Sequence, residues 1–344
     1  MRTQSIDTLK GLAILAVVVI HTEPFLAIQA IKNDWYYLGH SIQQITSFAV
    51  PFFFVAAGYF FSQGIKKEGL TGRWWLYVKR LSALLLIWIV IDGIFWGEWL
   101  EQVLEEKSLS PLLWNLNAIP SFAAKRPDLF LFRGTAVPLW FLISLIISIS
   151  ILALCIKLSV HPRGLLFIGF CGYFFSLITS FYAGTPLGIG MSLPLEQRGP
   201  FIAFLFLVIG HFLAIHHVSV RSSWLILAAS ILLVFIESSA LSYFAEAPFQ
   251  EKPYLFSTML LATAAFIFAL QYPSFGADSI VSKIGKCSLG IYLVHTPVLG
   301  ALGLARSSVI NPLWEVLFPT IVLALSYAIV IGLTKMPYLR VSVS

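Results

Sequence analysis

His21 stands eleven residues after Lys10, with only apolar positions between them, in the run SIDTLKGLAILAVVVIHTEPF from Ser5 to Phe25. At about 1.5 Å of rise per helical residue, the imidazole lies about 16 Å beyond the lysine, near the middle of a bilayer whose hydrocarbon is about 30 Å thick. A titratable ring at that depth is costly unless it faces a protein interior or a wet cavity, so its default reading is a functional site. An imidazole, with a pKa near 6.5 in water, takes a proton from a hydroxyl without first carrying a permanent charge. Acting as a base on an alcohol, or being itself acylated and passing the group on, is the chemistry such a ring suits.

Two more titratable groups fall at similar depth. His295 lies ten residues beyond Gly285 in CSLGIYLVHTP, with Tyr292 one turn earlier on the same face. A single buried histidine is more often a satisfied core residue than a catalyst, but a second at matched depth from the opposite end of the chain weakens that explanation. Asp92 follows Arg80 by twelve residues. Such a carboxylate either orients an imidazole or neutralises a base; alternatively its helix ends early, near Gly93 and Trp96, and the group is wet.

The elements that must hold these groups are read from composition. With 344 residues, 58% hydrophobic and 11% charged, and a mean hydropathy of +0.88, the chain is all-α and polytopic in a membrane. Apolar runs predict ten spans, roughly 9-30, 41-62, 80-97, 138-156, 163-181, 198-215, 222-239, 253-270, 284-305 and 313-335. With the N-terminus cytoplasmic, the inner segments hold fourteen basic residues against three acids, Asp7, Glu68 and Asp278. That asymmetry puts both termini in the cytoplasm, and it makes the net charge of +6 a record of orientation, leaving no case for nucleic acid. Cys155, Cys171 and Cys287 lack disulfide or zinc spacing, and His211, His216 and His217 have no carboxylate or cysteine beside them, so no metal is expected. The first helix has no cleavage site and is expected to be retained as an anchor. A single membrane domain, 1–344, is expected, with one long extracytoplasmic loop at about 98-137.

The opening Ile6-Asp7-x-Leu9-Lys10-Gly11, with a histidine eleven residues after the basic position, resembles the integral-membrane acyltransferase-3 family, which O-acylates surface glycans and related acceptors. Further similarities are Val50–Gln63 (VPFFFVAAGYFFSQ), the Lys79-Arg80-Leu81 step, Leu139-Trp140-Phe141-Leu142, and Leu289-Gly290-x-Tyr292 followed by His295-x-Pro297. The departures are Lys10 where arginine is usual, which keeps the charge but loses the planar fork, and Ala57 where serine is usual. No appended extracytoplasmic domain of the kind some relatives carry is expected, and the membrane domain alone is expected to complete the reaction.

The resemblance implies a catalytic His21 and a basic partner at Lys10, with acetyl-CoA or another acyl-CoA as donor and a glycan or glycolipid hydroxyl as acceptor. His295 and Asp92 are the further catalytic candidates. Lys10, Arg73, Lys79 and Arg80 are candidates to hold CoA phosphates; the same basic loop, with Trp74 and Trp75, equally suits an anchor on anionic lipid. Trp140 either lines the acceptor cleft or sits in an interfacial belt. Arg198 either meets an anionic acceptor or pairs with Glu196, while Tyr292 and Glu23 complete the acceptor side. The implied location is the bacterial cytoplasmic membrane. The rival is a transporter or flippase of a glycolipid or small polar metabolite, which would carry inverted repeats; none is visible in the sequence.

Overall fold

The computed structural model describes residues 4–26, 35–189, 195–216, 218, 220, 222–246, 248–249, 252–308, 311–336 and 338–343, with backbone alone at 195–198, 304 and 307–308. These residues are helical, with no strand among them. In chain order the helices are α1 (Gln4–Thr22), α2 (Tyr36–Thr46), α3 (Ala49–Glu68), α4 (Leu70–Ile94), α5 (Trp99–Glu106), α6 (Ser110–Lys125), α7 (Pro127–Arg133), α8 (Trp140–Lys157), α9 (Pro162–Ser176), α10 (Leu195–Ile215), α11 (Ser223–Phe244), α12 (Phe256–Gln271), α13 (Ile280–Lys286), α14 (Ser288–Ala301), α15 (Gly303–Ser308) and α16 (Pro312–Lys335). Seven segments are long and apolar enough to cross a membrane, and Gly199–Ile215, Phe256–Gln271 and Ser288–Ala301 are shorter apolar helices. Together they occupy the ten predicted runs. Large apolar side chains such as Leu86, Phe167, Leu232 and Ile236 point outward, as lipid-facing surfaces require.

Three boundaries differ from the sequence reading, and prolines account for two. The first helix stops at Thr22 instead of running to residue 30, because Pro24 expels Glu23 from the helical region; Glu23 takes φ +46°. The second span is two helices parted at Ser47 and Phe48, with Pro51 in the first turn of α3, where its missing N–H costs nothing. The ninth is parted at Cys287.

Close backbone contact at small residues sets the packing. A Cβ on Gly285 would come within 1.7 Å of the Asp7 carbonyl oxygen, and one on Gly11 within 2.1 Å of that of Val281, so α1 and α13 meet backbone to backbone. Gly58 and Gly210 do the same for α3 and α10. Hydroxyls tie α1 to the segments just before α13: Ser5 Oγ donates to the Ala269 carbonyl of α12 at 2.5 Å and Thr8 Oγ1 to that of Gly276, between α12 and α13, at 3.0 Å. α14 packs on both α1 and α16, and this juxtaposition brings the two ends of the chain together at the histidines.

Candidate active site

His21 occupies the next-to-last position of α1, and His295 lies midway along α14. Their ring centroids are 5.0 Å apart with the planes tilted by 42°. Because α1 ends so soon after it, His21 sits at a helix terminus beside a cavity. His295 is buried behind it, its Nδ1 2.5 Å from the Tyr292 carbonyl oxygen. The Tyr292 ring lies 5.7 Å from that of His295 and 5.1 Å from that of Phe141, and its hydroxyl donates to the Pro138 carbonyl.

His21 opens onto a cavity of about 710 Å³ at the far end of the bundle from Lys10. Asp92, in the last turn of α4, lines the same cavity; it is buried, and its Oδ1 has no hydrogen-bond partner among the described residues. Glu23 lines it too, exposed, at the turn that ends α1. Glu98 lines it as well, and so do three charged residues that the sequence did not single out: Arg133, Arg306 and Glu315. The Arg306 guanidinium donates to the Thr22 carbonyl, with a longer contact of 3.4 Å to that of Glu23, and so places a cation on the negative end of α1. The buried Glu315 carboxylate accepts from the Phe25 amide at 2.7 Å. The clue available in the sequence was an arginine and a glutamate between two apolar runs on the side otherwise rich in acids.

A second cavity, of about 150 Å³, approaches from the opposite end. Lys10 and Arg80 share its wall with Tyr77, Ser288, Ala57 and Tyr292. Lys10 Nζ sits 4.7 Å above the Phe60 ring, an arrangement that favours the cation electrostatically. Arg73 is off the wall: it pairs with Glu68 at 3.2 Å, donates to the Phe60 carbonyl at 3.1 Å and lies over the ring of Tyr77, 5.0 Å from its centroid. Lys79 is exposed and also off the wall. Tyr292 and Phe141 both line this cavity, whereas His21 does not, and the Tyr292 ring reaches from it to the side of His295.

Trp140 lies apart from both cavities. It is buried against Phe54, with ring centroids 6.1 Å apart, and packs so closely on Gly199 that a Cβ there would come within 2.8 Å of its ring. The side chain of Arg198 falls outside the described residues. His211 faces Ser62, Nδ1 to Oγ 2.7 Å. No group of three metal-ligating side chains comes together among the described residues.

Basic residues at one end, a histidine pair at the centre and a larger cavity with acids and arginines in its wall beyond it suit the movement of a group between two substrates. The sequence pattern of the acyltransferase-3 family, described as an acyltransferase domain, matches residues 3–334. The chain belongs to that family. Neither a curated protein nor a solved structure matches it. The match runs from the start of α1 to the end of α16, so both cavities and both histidines of this acyltransferase lie inside the family's domain.

Proposed function

We propose that this acyltransferase takes an acetyl group from acetyl-CoA, bound at the Lys10 and Arg80 end, and passes it to a hydroxyl of a glycan or glycolipid in the cavity lined by His21. The observation that supports this most is the histidine pair at the edge of one cavity, with Tyr292 joining it to a second: the smaller carries Lys10 and Arg80, and the other, several times larger, carries acids and arginines in its wall. CoA is a cytosolic polyanion, and the basic end is the cytoplasmic one by charge asymmetry, so the donor enters there and the acceptor is extracytoplasmic. The protein then sits as a multi-pass enzyme in the bacterial cytoplasmic membrane, surrounded by its lipids. The Tyr292 and Phe141 rings swing aside for the thioester to reach His21. His21 takes the hydroxyl proton as the new C–O bond forms and the C–S bond breaks, and the proton leaves on the CoA thiolate. Asp92, with an open acceptor oxygen in the same cavity, receives a second hydroxyl of the sugar.

Purified protein in lipid nanodiscs, given radiolabelled acetyl-CoA and a glycan acceptor, is expected to release CoA thiol and place label on the acceptor. His21→Ala is expected to lower the rate by at least about 100-fold while leaving a folded protein in the membrane. Thiol release persisting in His21→Ala at the wild-type rate removes His21 from the reaction. Movement of glycolipid across the bilayer without thiol release by the wild type identifies a flippase instead.

A further inference from the structure

His295 has no task in the scheme above, yet its surroundings are specific. The ring is 1% exposed, and its Nδ1 lies 2.5 Å from the carbonyl oxygen of Tyr292. A carbonyl oxygen only accepts, so the hydrogen is on Nδ1, and the neutral ring keeps a lone pair on Nε2. That Nε2 is buried and has no hydrogen-bond partner among the described residues. A histidine held only for packing has both nitrogens satisfied, since an unmade bond at a buried polar atom is costly. Two donors at the site are already engaged: the Tyr292 hydroxyl on Pro138 and the Arg306 guanidinium on Thr22. The adjacent ring is that of His21, 5.0 Å away centroid to centroid and tilted toward it.

We propose that His295 is a positioning residue whose Nε2 accepts the N–H of His21 and thereby selects the tautomer of His21. With one nitrogen of His21 donating backward to His295, the other presents its lone pair to the cavity and the acceptor hydroxyl. The structure leaves this one bond unmade, with the rings 5.0 Å apart; a turn of the His21 side chain completes a chain that runs from the Tyr292 carbonyl through the Nδ1–H and Nε2 of His295 to the N–H and free nitrogen of His21. When His21 gains the hydroxyl proton, the resulting imidazolium keeps its N–H to Nε2 while the acyl carbon–sulfur bond breaks, and it returns that proton to the departing thiolate. This assignment rests on His21 being the base in acyl transfer. The tautomer it requires is a property of the resting protein and is measurable without any substrate.

The test has two arms, both on the full chain in nanodiscs. In the first, ¹⁵N-histidine spectra of wild type and His295→Leu identify the His295 nitrogens by their disappearance; a protonated Nδ1 and an unprotonated Nε2 are expected. A protonated Nε2 overturns the proposal whatever the activity. In the second, His295→Leu is expected to lower kcat about 100-fold with KM for acetyl-CoA and acceptor unchanged, and His295→Gln, whose amide oxygen can accept the same N–H, is expected to recover part of the loss. Wild-type kcat in His295→Leu, or glutamine no better than leucine, overturns it. A wild type that transfers no acyl group defeats the acyl-transfer reading, and the spectra then still decide the tautomer.

Discussion

Lys79 and Arg80 are neighbours of like charge, and nothing in their types distinguishes them. One helical step of about 100° does: both side chains are exposed, but only that of Arg80 lies on the wall of the small cavity. The consequence is a sharp contrast. Lys10→Ala and Arg80→Ala are each expected to raise KM for acetyl-CoA by about tenfold or more, the worth of a charge-assisted hydrogen bond, whereas Lys79→Ala leaves it unchanged; steady-state kinetics across acetyl-CoA concentration decide. The histidines were legible because a titratable ring in an apolar run stands out at once. Arg306, Arg133 and Glu315 were not, because a charge beside a predicted loop looks like any solvated charge until the fold turns it inward. Trp140 shows the reverse: its place in a Leu-Trp-Phe-Leu run resembles a family signature, and its ring packs in the core against Phe54.

The elements were legible as apolar runs of span length, and their ends were less so. Hydropathy carries no signal for where Pro24 terminates α1 or where Cys287 divides α13 from α14, since both lie inside runs that stay apolar on average. The glycines that bring α1 and α13 into contact were invisible for a related reason, because a glycine's partner is a backbone far away in sequence. Their importance is testable. Gly285→Leu forces side-chain atoms into the Asp7 backbone and is expected to cost about 3 kcal/mol or more, seen as a lower melting temperature in detergent together with lost activity. Gly332→Leu, on a helix face with nothing within 4 Å of the added Cβ, leaves the melting temperature unchanged.

At the scale of the whole molecule, ten apolar helices make the chain multi-pass, and the uneven division of charge predicts both termini on the cytoplasmic side. The sidedness on which donor entry depends follows from it. In a background without the three native cysteines, a cysteine at exposed Glu105 is expected to react with an impermeant maleimide in intact cells from which any outer envelope has been stripped. One at exposed Lys67 is expected to react only after the membrane is opened. The opposite pattern inverts the protein and the direction of transfer. How the segment from 98 to 137 folds was beyond reach of sequence periodicity: it forms three short helices, α5 to α7, with a proline near the start of two of them.

The chain ends meet in a way that bears on how such an enzyme diversifies. α1 is fastened to the α13–α15 region at two points: the glycine contact beside Asp7 near its start, and the guanidinium of Arg306 on the Thr22 carbonyl at its finish. The imidazole spacing is thus set by a frame that includes neither α6 nor the α7 stretch carrying Arg133, whereas α5 is tied to α14 by the Trp99 indole, which donates to the Pro297 carbonyl at 3.0 Å. Insertions, deletions and exchanges in α6 and α7 can therefore retune what the larger cavity admits while the histidine pair keeps its dimensions, so recognition is free to drift faster than chemistry.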